Sequence, residues 1–187
     1  MTRVLMGDFE ALHRLGLEQI LRVDGIELSP DAAVKAAALS GATMHQSLDA
    51  LSPDRLFDCI VALHVIEHIH KPAAFLRQLT THLAPGGVLV LATPDMGSFW
   101  RHAMGRRWPS FKYPEHVTFF DSITLPRLFV ELGFGNPVRI SYLHDFPLTD
   151  ILEKLRLPAP ALTARAMIPL PATTICYAGR RHSGGRT

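Results

Sequence analysis

The sequence is poor in cysteine and has no long uninterrupted apolar run. Its two cysteines, Cys59 and Cys176, lie inside apolar segments, so we expect free buried thiols rather than a disulfide framework. No segment approaches the roughly 18 consecutive apolar residues of a membrane-spanning helix. The first residues, MTRVLMGDFE, lack the apolar core of a signal peptide. A cytoplasmic protein without stable membrane insertion is therefore predicted.

The sequence also has little net charge. Its formal charge is +2, and part of this excess lies in residues 180–187, which we expect to form a flexible basic tail. A nucleic-acid-binding protein would need a basic face elsewhere, so no nucleic-acid partner is predicted. The contents of 48% hydrophobic and 19% charged residues indicate a folded globular protein, and 187 residues suit a single domain, 1–187. The oligomeric state stays open.

Strand-like and helix-like segments alternate along the chain. The apolar runs 57–63 and 88–93 are typical of strands that are covered on both faces. A helix is predicted for 29–41, with Ser29 as N-cap and Gly41 beyond its end. Further helices are predicted for 8–21, 71–83 and 122–134, and further strands for 23–28, 42–46, 138–143 and 173–179. This alternation predicts an α/β fold with a doubly wound, mostly parallel sheet, whose ligands bind at the carboxyl ends of the strands.

Residues 64–68 read HVIEH, which matches the H-x-x-E-H zinc pattern of the inverzincin peptidases. Such a site needs both histidines on one helix face. Here the strand 57–63 runs up to His64, and Lys71 and Pro72 mark the start of the next helix. We therefore predict no metal site, and a zinc hydrolase is kept as an alternative that metal analysis would decide. A nicotinamide dehydrogenase is conceivable from the fold alone.

Polar residues follow two of the predicted strands. Glu27 comes directly before the helix 29–41, where an acid can accept two hydrogen bonds from a ribose diol. A solvated carboxylate beside a helix N-terminus explains Glu27 equally well. Ser47 lies in the segment 46–52, which can offer polar groups to an adenine edge, although a plain polar loop is the simpler interpretation.

The ordered set of motifs resembles the class I S-adenosylmethionine-dependent methyltransferases, in particular a group that acts on small molecules. The pattern FD-x-I-x₃-H-x-IEH is followed by a predicted helix and by L-x-PGG-x-L-x₃-TP. This order is specific, whereas no single piece of it is. The resemblance spans roughly residues 7–145, and the matching stretches are 23–32, 56–95 and 106–120, the last of which contains YPEH.

This resemblance implies a Rossmann-like fold, S-adenosyl-L-methionine as cofactor and a small-molecule acceptor. The implied cofactor-binding residues are Gly7, Asp8, Phe9, Glu27, Leu28, Ser47, Leu48, Leu63 and His64. In this scheme Glu27 holds the ribose, while Leu63 and His64 lie beside the methionine moiety. The implied catalytic residues are His68, Glu115 and His116. His116 would act as a general base, or it makes only a structural hydrogen bond. The insertions 95–120 and 144–172 would form the acceptor side.

The sequence departs from this family at its N-terminus. Family members open with a strand and a D/E-x-G-x-G-x-G type run, whereas only Gly7 is present here, followed by Asp8 and Phe9. We expect the first strand to be short or missing, with TRVLM as its candidate. Loss of the glycines predicts weakened cofactor binding, because they allow close backbone approach. Two hypotheses follow: an S-adenosylmethionine-dependent methyltransferase, or a non-catalytic methyltransferase-fold remnant or partner-binding module.

Overall fold

A computed structural model describes residues 3–6, 22–27, 29–141, 144–154, 156–158, 166–170 and 173–182. Four predicted site residues, Gly7, Asp8, Phe9 and Leu28, lie outside the described residues. The predicted helix 8–21 and residues 183–187 of the predicted tail lie outside them as well.

Seven of the described strands form one sheet in the order β3-β2-β1-β4-β5-β9-β6. Neighbours from β3 to β5 in this order pair in parallel, and β9 is antiparallel to both β5 and β6. The predicted doubly wound, mostly parallel sheet is therefore confirmed. The strand bounds are β1 (Arg3–Met6), β2 (Arg22–Ile26), β3 (Thr43–His45), β4 (Phe57–Leu63), β5 (Leu83–Pro94), β6 (Val138–Ile140) and β9 (Thr174–Arg180).

The four-residue strand β1 lies in the middle of the parallel part of the sheet. Val4 is in register with Val23 of β2 on one side and with Cys59 of β4 on the other. The first strand is thus short, as predicted, and it is present. Because β1 supplies ladder partners to both neighbours, β2 and β4 are joined into one continuous sheet.

Helix α1 (Pro30–Ser40) begins and ends where the sequence predicts. The Ser29 hydroxyl accepts a hydrogen bond from the Ala32 N–H at 3.4 Å. Gly41 has a φ of 65°, a left-handed conformation that suits glycine, and its N–H donates to the Ala37 carbonyl. These contacts satisfy backbone groups that would otherwise lack partners at the two helix ends.

Two further helices pack on the sheet. Helix α2 (Pro72–Thr81) buries Leu76 and Leu79, and helix α4 (Thr124–Glu131) buries Phe129 among others. The Asp121 carboxylate precedes α4 and accepts hydrogen bonds from the backbone N–H groups of Ile123 and Thr124 at 3.0 and 2.7 Å. Each fully buried leucine or phenylalanine contributes about 1.5–3 kcal/mol relative to an exposed one.

The largest hydrophobic cluster lies between these helices and the sheet. Its fully buried members include Phe57 and Ile60 on β4 and Leu89 and Leu91 on β5. Gly179 of β9 faces Phe129, and a Cβ atom on Gly179 would lie 2.6 Å from a ring carbon of Phe129. The Phe129 ring of α4 thus packs directly on the backbone of β9.

Several short elements were not predicted. Helix α3 (Phe99–Met104) lies in the segment 95–120. The antiparallel pair of β7 (His144–Pro147) and β8 (Met167–Leu170), with helix α5 (Leu148–Lys154) after β7, lies in the segment 144–172. Such short segments carry too few residues for a hydrophobic period to show. In the described part of the chain, no helix has both the length and the apolar character that a membrane crossing requires.

Candidate functional site

A cleft of about 520 Å³ opens where β2, β3 and β4 end. Its lining includes Glu27 after β2, Ser47 and Leu48 after β3, and His64 after β4. Apolar side chains such as Phe75 supply much of the rest. The volume lies in the range of small-molecule and cofactor sites, and the position is the one expected for ligands of a parallel sheet.

Glu27 lies at the mouth of this cleft and is held by the backbone around it. Its N–H donates to the His45 carbonyl at 2.9 Å, which extends the pairing of β2 with β3. Its Oε1 accepts a hydrogen bond from the Ser29 N–H at 2.9 Å. The carboxylate is therefore oriented by the turn that starts α1, at the place where the sequence predicts a ribose contact.

A buried ion pair supports the strand that carries Glu27. Asp24 of β2 is 2% exposed and accepts hydrogen bonds from Nη2 of Arg55 at 3.0 and 2.8 Å. His45 Nε2 lies 3.1 Å from Asp24 Oδ1. These contacts tie β2 to β3 and to the loop before β4, and so fix the two strand ends on one side of the cleft.

The chain leaves the extended conformation at His64, immediately after β4. His64 has a φ of 53°, and its N–H donates to the Ala92 carbonyl of β5 at 2.8 Å. Residues Ile66–His68 then form a single 3₁₀ turn. The histidines of the H-x-x-E-H string consequently lie on different elements and not on one helix face, as the sequence predicts.

Leu63, the last residue of β4, packs into the protein interior. Its side chain is buried in a second hydrophobic cluster with Val23, Ala92 and Cys176, and Leu63 is not among the described residues that line the cleft. His64, the next residue along the chain, does line the cleft. A position of Leu63 beside the methionine moiety stays a prediction.

Glu67 is almost completely buried, with 1% of its surface exposed. Its Oε1 accepts a hydrogen bond from His64 Nδ1 at 3.1 Å, and its Oε2 accepts one from the Thr93 hydroxyl at 3.0 Å. Burial alone would raise the pKa of the Glu67 carboxyl. The hydrogen bond and charge of His64, helped by Thr93, outweigh burial and place that pKa below its usual value.

The backbone of Glu67 anchors the segment 95–120. Its carbonyl accepts hydrogen bonds from the N–H groups of Val117 and Thr118 at 2.8 and 3.1 Å. The Thr118 hydroxyl donates to the Ile69 carbonyl at 2.9 Å. These bonds hold residues 113–116, the YPEH motif, against the turn that follows β4.

This anchoring brings His68 and His116 together. His68 Nδ1 donates to the Glu115 carbonyl at 2.9 Å, and His116 Nδ1 donates to the Ser110 carbonyl at 2.7 Å. Because a carbonyl oxygen only accepts, the proton of each neutral ring is on Nδ1 and the lone pair is on Nε2. The ring centroids are 4.7 Å apart at an interplanar angle of 85°.

His116 is buried and His68 is exposed. Burial lowers the pKa of His116, and the nearby His68 and Lys112 lower it further, against the opposing effects of Glu67 and of the bond to Ser110. The His116 ring is therefore neutral near pH 7, and its Nε2 lone pair is available.

A second cavity, of about 200 Å³, adjoins the large cleft. His64 and His68 line both cavities, while Glu67 and His116 line only the smaller one. Glu115 also lines the smaller cavity, but its side chain is exposed. The hydrogen bond between Glu115 and His68 involves the backbone carbonyl of Glu115 and not its carboxylate. A catalytic role of the Glu115 carboxylate stays a prediction.

Sequence reasoning did not assign Thr93, Ser110 or Lys112 to the site. Thr93 was recognisable as a polar residue near the end of an apolar strand. Ser110 and Lys112 carry no such signal, since they reach the smaller cavity only through the fold of the loop between α3 and α4.

Comparison with known proteins gives a consistent family. Residues 9–136 match a family model described as a methyltransferase domain. Over 110 residues, the chain is 32% identical to a ubiquinone biosynthesis O-methyltransferase of Bradyrhizobium sp. (strain ORS 278). That match covers 54% of this chain and 37% of the relative, so the chain spans little more than a third of the relative's length.

Solved structures share the fold. The YcgJ protein of Bacillus subtilis superposes with a TM-score of 0.68 at 14% identity, covering 98% of this chain and 93% of that protein. A Burkholderia thailandensis N1-methyltransferase, solved with 1,6-didemethyltoxoflavin and S-adenosylhomocysteine, gives a TM-score of 0.59 at 16% identity and covers 97% of this chain and 71% of the other.

Proposed function

Because the chain belongs to the methyltransferase-domain family, we propose that it binds S-adenosyl-L-methionine in the large cleft and transfers the methyl group to a small-molecule acceptor in the adjoining cavity. The observation that carries this proposal is the pair of adjoining cavities at the strand ends, with His64 and His68 between them. A cofactor in one and an acceptor in the other would meet at these two residues.

In the large cleft, Glu27 accepts hydrogen bonds from the ribose hydroxyls. Its orientation by the Ser29 N–H supports this role, because a fixed carboxylate loses little entropy on binding. Ser47 and Leu48 lie across the cleft beside the adenine. His64 lies at the inner end, toward the methyl group. Roles for Gly7, Asp8, Phe9 and Leu28 in cofactor binding stay predictions.

In the smaller cavity, the acceptor presents a hydroxyl. The curated relative is named an O-methyltransferase, which favours oxygen as the methylated atom. Methyl transfer requires the acceptor oxygen, the methyl carbon and the sulfur to lie in line, and it requires loss of the hydroxyl proton. His68 lines both cavities, and His116 lines the smaller cavity. Nε2 of each ring carries a lone pair, so either histidine can receive that proton.

The segment 95–120 forms the acceptor side, because Ser110, Lys112 and His116 all come from it. Residues 144–172 stay a predicted part of that side. A cytoplasmic location and the absence of a nucleic-acid partner stay predictions from the sequence.

Isothermal titration with S-adenosylhomocysteine tests the proposal. We expect saturable binding at one site per chain. Glu27→Gln keeps an oxygen for the Ser29 N–H but loses the charge, and we expect affinity about 10- to 100-fold lower, since hydrogen bonds to a charged group contribute roughly 1.5–3 kcal/mol. Asp31→Asn is the matched control, because Asp31 is an exposed acid in the first turn of α1, outside the cleft lining.

Two outcomes would contradict the proposal. Absence of binding at millimolar S-adenosylhomocysteine would favour the non-catalytic remnant or partner-binding module. Equal affinity of the Glu27→Gln and Asp31→Asn variants would place the cofactor elsewhere.

A further inference from the structure

Glu67, His68 and His116 form a compact group of metal-ligating side chains at the smaller cavity. One ligand atom from each residue can be chosen so that all three lie within 4.8 Å of one another. Three ligand atoms on one tetrahedral metal ion, with bonds of about 2.1 Å, lie roughly 3.4 Å from one another. Side-chain movements of about an ångström therefore suffice to bring the three onto one ion.

The contacts around both histidines engage Nδ1 of each ring and leave Nε2 as the candidate ligand atom. Each Nδ1–H is bound to a backbone carbonyl, that of Glu115 for His68 and that of Ser110 for His116. This is the arrangement by which proteins fix metal-ligating histidines, because the carbonyl sets the tautomer and leaves the Nε2 lone pair as ligand. Two histidines 48 positions apart in the sequence share this arrangement.

The carboxylate is fixed in the same manner. Each oxygen of Glu67 accepts one hydrogen bond, from His64 Nδ1 and from the Thr93 hydroxyl, and each keeps a second lone pair. Glu67 is 1% exposed, and a buried carboxylate is costly unless it is paired with positive charge. The contact with His64 partly meets this need, and a cation beside Glu67, His68 and His116 would stabilise the carboxylate further.

We propose that Glu67, His68 and His116 bind a divalent transition-metal ion at the boundary between the two cavities. One carboxylate with two imidazoles suits zinc, cobalt, manganese or iron(II) better than magnesium or calcium, which prefer oxygen ligands alone. Three protein ligands leave coordination positions open toward the cavity. The sequence-based expectation of no metal site considered His64 as a ligand. In the proposed site His64 is not a ligand, and it donates a hydrogen bond to the Glu67 carboxylate instead.

A metal ion at this site would act in the proposed methyl transfer, and its binding can be measured without that reaction. If an acceptor hydroxyl takes an open position on the ion, the ion lowers the pKa of that hydroxyl and the acceptor oxygen becomes the nucleophile. In the metal-bound protein the Nε2 lone pairs are occupied, so the ion replaces His68 and His116 in promoting loss of the hydroxyl proton, which leaves to solvent. Lys112 also lines the cavity, with an exposed side chain that stays in solvent.

The test uses the full chain without an affinity tag, treated with a chelator and then titrated with Zn²⁺ alone and with Co²⁺ alone. Neither cofactor nor acceptor is present, so the result is independent of methyl transfer. We expect one ion per chain by calorimetry and visible absorption bands of protein-bound Co²⁺. His68→Ala should weaken binding at least 100-fold and remove those bands, and its exposed position makes the fold tolerant of the change.

His70→Ala is the matched control, because His70 is an exposed histidine two positions further along and outside the group. We expect its affinity within threefold of the unchanged protein. Zn²⁺ should raise the thermal midpoint of the unchanged protein and of His70→Ala but not of His68→Ala. No binding at millimolar metal, or equal binding by His68→Ala, would overturn the inference. Metal binding without S-adenosylhomocysteine binding would support this inference and count against the proposed function.

Discussion

Replacement of Arg55 by alanine tests how the structure supports the end of β2. The Arg55 guanidinium makes two hydrogen bonds to Asp24, whose side chain is 3% exposed. Removal of one partner from a fully buried ion pair costs about 3–5 kcal/mol, since the other charge is left unpaired. The Arg55 side chain is 39% exposed and His45 also contacts Asp24, so water and His45 relieve part of this cost. We expect a loss of about 2 kcal/mol.

Urea unfolding followed by circular dichroism measures this loss. The midpoint concentration should fall with an unchanged slope, because the surface exposed on unfolding stays the same. For a domain of this size, about 2 kcal/mol corresponds to a fall of roughly 4–8 °C in the thermal midpoint. Arg77→Ala is the control, because Arg77 is an exposed arginine on α2, and its cost should stay within about 0.5 kcal/mol.

A double-mutant cycle with Asp24→Asn separates the pair from general packing. We expect the double variant to be more stable than the sum of the two single losses predicts, by about 1–2 kcal/mol. Additive losses, or a cost for Arg55→Ala no larger than that for Arg77→Ala, would refute the reasoning. The ion pair would then be a solvated surface contact and not a support for the strand that carries Glu27.

Three further predictions concern the scaffold. Asp121→Ala should cost about 1 kcal/mol at pH 7, because the Asp121 carboxylate accepts hydrogen bonds from backbone N–H groups at the start of α4. The bonds from the Thr124 N–H and hydroxyl lower the pKa of Asp121. This contribution is therefore present above the unfolded pKa, and in urea titrations it should vanish as the pH falls through the lower folded pKa. Gly179→Ala should destabilise the protein by about 1–3 kcal/mol, because its Cβ meets the Phe129 ring, and less in a Phe129→Leu background; an equal cost in both would contradict this. Burial, with Asp58 adding to it at Cys59, raises the pKa of Cys59 and Cys176 to about 11. At pH 8, both thiols should react with a disulfide reagent much more slowly in native than in unfolded protein, and fast reaction of native protein would contradict this.

Much of the scaffold could be predicted because its signals are local. The limits of α1 follow from Ser29, Pro30 and Gly41, whose roles depend on neighbouring backbone groups. Strand β4 was predicted with its observed limits, since a run of apolar residues marks a strand buried on both faces. The elements of 95–120 and 144–172 escaped prediction because they are short and lack a hydrophobic period.

Some residues of the candidate site could be predicted from local signals, and others could not. Glu27, Ser47, Leu48 and His64 line the large cleft because each lies within three residues of a strand end, and parallel strands end on one side of the sheet. Leu63 is buried against Val23, Ala92 and Cys176, and these contacts come from distant parts of the chain that no local pattern reveals.

By itself the sequence determined the alternation of the main strands and helices, the mostly parallel sheet and the edge where ligands are expected, because hydrophobic periods and capping residues act over a few positions. Only the tertiary structure decided that Glu67, His68 and His116 meet at one cavity. The hydrogen bonds of Val117 and Thr118 to the Glu67 carbonyl dock a distant loop beside the turn after β4. Such long-range contacts depend on the path of the whole chain, so no local pattern encodes them.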